Sequence, residues 1–242
     1  MPTAVRDDLH TKGYSLVRGV DLPIDEPMRR HAGALAATWE NLVTDPYLKD
    51  GARFRERRYD RFYYLPRDHR IQLRPHQAYF QSTDANEYAG GIAREIAPLT
   101  AAVLNNPLLE FLIEFNFARF PVTPDRVGLP WDVQCHQFRI LGVPSEVGEP
   151  TPEGPHRDEV DFGAIHLMSR TNAEGGRSQA YRDPTRLLDE FCLIEPMDTM
   201  YWADQKVLHA VTPITPLYPG LPAIRDVLIL GYKCSPGLRE GD

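Results

Sequence analysis

The chain has 242 residues, 34 acidic against 27 basic side chains for a formal net charge of −7, and 42% hydrophobic residues. That balance argues against a phosphate-binding, nucleic-acid footprint, and no apolar run reaches the ~20 residues needed to cross a bilayer. The length fits one domain with elaborations, able to bury roughly 70–75% of its unfolded surface without staples.

The N-terminus, with Arg6-Asp7-Asp8, lacks the apolar stretch of a secretory leader. Gly13–Val20 predicts a short strand ended by Asp21-Leu22-Pro23. From Pro27 to about Val43, Leu35, Trp39 and Leu42 recur at helical spacing and predict a core-facing helix. Residues 53–64 mix arginines with aromatics. Base stacking is one use of such a mixture, but the acidic total opposes it, and we expect a strand whose arginines form a solvated face in preference to a substrate contact. Tyr79-Phe80-Gln81-Ser82 and Asn86 precede Gly90-Gly91, where backbone can approach a ligand or another element closely. Residues 92–118 predict helix broken at Pro98 and Pro107, with Leu108, Leu109, Phe111, Leu112 and Phe115 as its apolar face.

From about residue 131 the pattern changes to short strands with Gly and Pro punctuation. Strands are expected at 134–141, 162–169, 178–181, 191–194, 199–202, 207–211 and 227–230, with Glu174-Gly175-Gly176 as a turn. In the first of these, Gln137 and Arg139 share one face and Phe138 and Ile140 the other. The expected fold is mainly β with flanking helices, on a double-stranded β-helix (jelly roll, cupin-like) core. One domain, 1–242, would divide into an N-terminal cover (about 1–125) and the core (about 131–233). Cys135, Cys192 and Cys234 are far apart and odd in number, which reads as reduced thiols in a cytoplasmic protein.

The chemistry concentrates in Pro155-His156-Arg157-Asp158. In extended chain, residues i and i+2 share a face, so His156 and Asp158 converge while Arg157 turns away. About fifty residues on, His209 interrupts the apolar strand Val207–Val211, where an unpartnered imidazole would be costly. Two histidines and a carboxylate form the facial triad of non-haem Fe(II) oxygenases. Closing it requires the two segments to be neighbours. His10, His31 and His69 sit in polar surroundings; His76, His136 and His166 read as satisfied core or pocket residues. His166 shares the parity of His156 and is the main rival ligand. Arg225 opens the last strong strand; a guanidinium deep in a barrel pairs bidentately with a carboxylate, as the far end of 2-oxoglutarate would require. The alternative is an ion pair with Asp226 or Asp204.

Taken together, His136–Ile140, Pro152–Asp158, Asn172 with Gly175-Gly176, Val207–Ile214, and the N-terminal Tyr79–Ser82, Asn86 and Gly90-Gly91 resemble the bacterial 2-oxoglutarate/Fe(II) dioxygenases of the L-isoleucine dioxygenase type. The resemblance covers most of the chain. It implies His156, Asp158 and His209 as iron ligands and Arg225 at the co-substrate carboxylate. The cofactors would be Fe(II), 2-oxoglutarate and O2, and the reaction hydroxylation or sulfoxidation of a free L-amino acid. Glu159, Thr171 and Ala203 depart from the pattern. Arg139, Gln137 and Gln81 are the candidate substrate contacts. The expected partner is this small molecule, with no nucleic acid and no membrane; a homodimer is left open. Alternatives are the same chemistry on a peptide or natural-product scaffold, a zinc-dependent hydrolase or isomerase on a similar barrel, or a non-catalytic binding barrel.

Overall fold

The structure is a computed structural model and describes residues 2–83 and 88–242. In chain order the elements are α1 (Pro2–Thr11), β1 (Tyr14–Val17), α2 (Glu26–Ala36), β2 (Val43–Thr44), β3 (Arg55–Leu65), β4 (Arg70–Leu73), α3 (Ala101–Leu104), α4 (Pro107–Phe117) and α5 (Pro124–Val127). There follow β5 (Trp131–Gly142), β6 (Phe162–Thr171), β7 (Ala173–Gly175), β8 (Arg177–Asp183), β9 (Arg186–Cys192), β10 (Thr199–Ala203), β11 (Leu208–Val211), β12 (Ile214–Pro216) and β13 (Ala223–Cys234). A large sheet runs in the order β1-β10-β6-β13-β5-β3-β2, with β4 on β3; β11-β8-β9 form a second sheet, and β12 pairs with β7. This is the jelly-roll architecture expected from the strand pattern. Among the described residues no helix is long and apolar enough to cross a membrane.

Side-chain alternation sorts the large sheet into two working faces. Ala164, Met168, Tyr201, Leu228, Leu230, Val133 and Cys135 point outward and pack with Leu35, Trp39, Leu108, Leu112, Ile113 and Phe117 of the helical layer. Ile165, Leu167, Met200, Trp202 and Val227 point inward, towards Ala180 of the second sheet and Leu193 just after β9. Asn106 caps α4 by accepting from the Leu108 amide, with Pro107 at the first helical position, where its missing N–H costs nothing. Helix is confined to Ala101–Leu104 and Pro107–Phe117, so the expectation for 92–100 was wrong; Ile96 and Leu99 there are buried in extended chain. The strand expected at 191–194 lies earlier, at Arg186–Cys192, paired to β8 across the Asp183–Arg186 turn.

The N-terminal part is more than a cover. β3 pairs with β5 from Arg55–Ile140 to Tyr64–Trp131 and so completes the main sheet. This changes the meaning of the arginine-rich stretch. Arg55 and Arg57 are buried and face the interior, correcting the solvated face expected for them.

His166 is not a rival for the metal. It faces the helical layer, between Asn116 (2.9 Å from Nε2) and Thr199 (2.7 Å from Nδ1). Parity with His156 is lost because Glu159, between them, has a φ of 59° and breaks the extended chain. Burial pushes the His166 pKa down to about 3, from 6.5 when unfolded. Below pH 6.5 the unfolded chain therefore binds a proton that the folded one refuses, and stability falls with pH until the folded pKa is reached. Between pH 6.5 and 5 this group alone should remove about 2 kcal/mol. Urea unfolding across that range should show a flatter pH dependence for His166→Gln; equal slopes would refute the assignment.

Candidate metal centre

His156 and His209 face each other as an isolated antiparallel bridge, each amide donating to the other's carbonyl at 3.0 Å. That pairing makes the two segments neighbours, as closure of the triad requires. The imidazole centroids lie 4.4 Å apart. Asp158 completes the group, its Oδ1 3.5 Å from His156 Nε2 and its Oδ2 3.3 Å from His209 Nε2. One ligand atom from each of the three lies within 4.8 Å of the others. Burial opposes ionisation of Asp158, but His209 and then His156 outweigh it and hold the carboxyl well below its usual range. Burial works against the His156 cation too, and the Asp158 carboxylate and Glu153 overcome it, raising this imidazole to about 9.

The donor set suits a divalent ion of intermediate softness with open positions. His156 Nδ1 lies 3.0 Å from the Gly154 carbonyl. A carbonyl can only accept, so the neutral ring carries its proton on Nδ1 and turns the Nε2 lone pair towards the trio. Trp202 packs on His209 with centroids 4.6 Å apart and fixes that ring by contact. Gly163 makes this possible, since a Cβ there would stand 2.1 Å from the Trp202 ring.

Asp204 is a residue that sequence reasoning missed in this role. Its buried carboxylate accepts from the amides of Asp158 (3.1 Å) and Val160 (3.3 Å) and from the Trp202 indole (3.2 Å). It thus ties the ligand-bearing turn to the tryptophan that supports His209, while Arg157 donates to its carbonyl at 2.8 Å. Asp204→Ala should lower divalent-metal affinity by about 10–100-fold, as loss of a ligand's supporting shell does. Asp204→Asn keeps one acceptor and should recover much of that. Metal titration of both variants checks the order; equal affinity in the alanine variant and wild type would remove Asp204 from the site.

Glu159 occupies the left-handed region, where a glycine carries no Cβ penalty. Its carboxylate accepts from the Ser82 hydroxyl (2.7 Å) and amide (3.0 Å), and so joins the ligand turn to the N-terminal cover. Asn86, which the sequence sets with Gln81 beside Gly90-Gly91, lies outside the described residues. Thr171 and Ala203, the other departures, do not line the cavity; Ala203 packs in the helical-side core.

One cavity contains the trio and extends between the sheets. Arg225 is in its wall, 1% exposed, with Nε and Nη2 unpartnered among the described residues. Burial and then the neighbouring Arg170 lower its pKa to about 10. The expected alternative does not occur: Asp226 is engaged by Arg139 at 2.8 Å, and Asp204 by the ligand turn. The Gly175-Gly176 signal acquires a reason here. A Cβ on Gly176, whose φ is +64°, would stand 3.2 Å from Arg225 Cδ and 2.8 Å from Arg170 Nη1. A buried guanidinium with donors to spare in the wall of this cavity fits the distal carboxylate of a 2-oxo acid.

Two of the three candidate substrate contacts do not reach the cavity. Gln137 and Arg139 do share a face, but the outer one: Gln137 donates to Thr38 at 2.8 Å, and Arg139 pairs with Asp226 and Glu40. The opposite parity of β5, Gln134, His136, Phe138 and Ile140, lines the cavity instead. Gln81 does line it, and accepts from Arg94 Nη2 at 2.7 Å. His136, read as a packing residue, is in the cavity wall beside Tyr59 and Tyr79, at centroid distances of 4.5 and 4.8 Å. Burial, with Arg57 next, holds its pKa well below 6.5, so the ring is neutral. Arg57, whose stretch was expected to face solvent in preference to substrate, and Arg94, which was not anticipated, belong to the same wall.

A model of the 2OG-Fe dioxygenase family matches residues 36–231. The chain is 28% identical over 158 residues to the L-isoleucine-4-hydroxylase of Bacillus thuringiensis, a match covering 64% of this chain and 65% of that one. It is 25% identical over 205 residues to the 3(1)-hydroxy-L-isoleucine 4-dioxygenase of Pantoea ananatis, covering 81% and 78%. Among solved structures, a bsmA homolog from Methylobium petroleophilum PM1 superposes with a TM-score of 0.81 at 29% identity, covering 98% of this chain and 96% of that one. The crystal structure of IDO from Bacillus thuringiensis gives 0.80 at 20% identity, covering 97% and 96%, a likeness of fold.

Proposed function

The chain belongs to the 2OG-Fe dioxygenase family, and from that we propose that it hydroxylates, or sulfoxidises, a free L-amino acid while 2-oxoglutarate becomes succinate and CO2. The observation that carries this reading is one cavity holding both the His156–Asp158–His209 trio and the Arg225 fork, which is unpartnered among the described residues. The two relatives named for isoleucine chemistry support a free amino acid as substrate. A zinc hydrolase would have no use for Arg225 in this cavity. The family's cofactors are Fe(II), 2-oxoglutarate and O2. We place the protein in the cytoplasm, in keeping with its three unpaired cysteines.

His156, Asp158 and His209 would hold the iron, with the 2-oxo acid's distal carboxylate on Arg225. Bound there, iron, 2-oxoglutarate and O2 supply the oxidising power that amino-acid side chains lack. The chain supplies position. Gly154 keeps the proton of His156 on Nδ1, and Asp204 sets the turn that aims Asp158. Phe138, Ile165, Met200, Trp202 and Val227 give the cavity an apolar lining that excludes bulk water from the reacting carbon. Gln81 brings the cover into the same wall.

The test is succinate release from 2-oxoglutarate and Fe(II) under air, with free L-amino acids offered one at a time. One member or a narrow subset should stimulate release and gain one oxygen atom by mass. If none does, and a peptide or natural-product panel does, the substrate class proposed here is wrong.

A further inference from the structure

We propose that Arg57 and Arg94 form a second anion subsite in the cavity, and that it takes the carboxylate of the organic substrate. This rests on the oxygenase reading above and adds to it the group by which the substrate is held. Three arginines, Arg55, Arg57 and Arg94, meet in this wall; Asp45 pairs with the first two, and Glu153, in the same lining, adds only a weaker field at Arg94. Asp45 engages Arg55 through Nε and Nη2 at 2.8 Å each, and lies 2.9 Å from Arg57 Nε as an ion pair without the alignment of a hydrogen bond. Arg57 Nη2 and Arg94 Nε are left buried without an acceptor among the described residues, in side chains 3% and 2% exposed. A buried donor on a cation is costly unless something accepts from it, and guanidinium does not escape by losing its proton. Burial does depress both groups, Arg57 to about 9, which marks how poorly the wall alone compensates them.

The wall is held for the purpose. Arg94 is pinned by Gln81 on one side and lies 4.7 Å from the centroid of Tyr79, over whose ring Arg57 also sits at 5.9 Å. Neutral His136 stands beside the same tyrosine and brings no competing charge.

Sheet register shows why this is not the Arg225 site under another name. Arg225 pairs with Ile140, and Ile140 with Arg55, in one cross-strand row; Val227, Phe138 and Arg57 form the next row. Arg57 is thus two strands and one row from Arg225, roughly 10 Å or more at the backbone. Phe138 and Ile140, on the strand between, line the cavity as an apolar strip. One carboxylate cannot span that strip, so the two forks serve two anions: the co-substrate on Arg225, the substrate on Arg57 and Arg94.

The experiment compares the stimulating amino acid with its carboxamide, by succinate release and by the rise in melting temperature of the anaerobic Fe(II)/2-oxoglutarate enzyme. Wild type should discriminate against the carboxamide by about 100-fold or more in kcat/KM, because the amide cannot accept as an anion does. In Arg57→Gln the KM for the amino acid should rise about 100-fold and discrimination should fall below about tenfold, while the KM for 2-oxoglutarate stays within about threefold. Arg57→Lys should restore part of the discrimination through charge without the fork. Equal use of acid and carboxamide by wild type overturns the subsite, as does a rise confined to the 2-oxoglutarate KM in Arg57→Gln. Should Arg57→Gln fail to fold, the wild-type comparison and Arg94→Gln decide between the same two outcomes. If neither acids nor carboxamides stimulate succinate release, it is the amino-acid reading itself that fails, and the subsite with it.

Discussion

Asp158→Ala should abolish metal loading and turnover together while leaving the fold in place. The carboxylate is the only anion among the three converging groups, and it bridges the two imidazoles at 3.5 and 3.3 Å. Losing a supporting group around a metal costs 10–100-fold, so losing a ligand should cost on the order of 1000-fold or more in turnover. The fold does not depend on the side chain. Asp204 grips this turn through the backbone amides of residues 158 and 160, and the His156–His209 bridge is made of backbone bonds. Anaerobic addition of Fe(II) and 2-oxoglutarate should give the visible charge-transfer band of the chelate in wild type and none in Asp158→Ala. Circular dichroism of the two proteins should coincide. A wild type without the band would sink the iron assignment, and a variant that keeps it would remove Asp158 from the ligand set.

Much of the trio was legible because its logic is local. His156 and Asp158 are separated by one residue in extended chain, and His209 interrupts an apolar strand that must be buried. The same periodicity failed where it gives a pair of faces without saying which is inside. For β5 it grouped Gln137 with Arg139 correctly, and nothing in that strand alone shows that the helical layer covers their face. The arginines of β3 were misread for a related reason. Their burial depends on Asp45, ten residues upstream of Arg55, and on pairing with β5 far downstream. An Arg-x-Arg pattern within a strand was the available signal: alternation puts both guanidinium groups on one face, and a second barrel residue of like charge makes that face a candidate for an anion. The parity link from His156 to His166 broke at Glu159, whose left-handed backbone no propensity predicts for a glutamate. Asp204 was invisible as a support because its partners are two backbone amides and an indole, groups that carry no sequence pattern.

Arg225→Met should move stability and co-substrate affinity in opposite directions, and that opposition distinguishes a binding arginine from a structural one. The guanidinium is 1% exposed, its Nε and Nη2 are unpartnered among the described residues, and the neighbouring Arg170 disfavours its charge further. Methionine has a similar reach and no charge, so the substitution removes the desolvation penalty without leaving a large void. Replacing a poorly compensated buried charge by an apolar side chain of like volume is worth about 1–4 kcal/mol. In a chain of this size that is a rise of several degrees in Tm. With 2-oxoglutarate the sign reverses. Its distal carboxylate would lose a charged, two-pronged partner in a buried part of the cavity, and truncating one side of such a pair costs about 2–5 kcal/mol, or roughly 30- to 5000-fold in the 2-oxoglutarate KM. Thermal unfolding without ligands should show the variant above wild type, and the gap should close or invert as 2-oxoglutarate and Fe(II) are added, because only wild type gains from binding. A structural arginine would give the contrary pattern: a lower Tm in the variant under every condition and an unchanged KM.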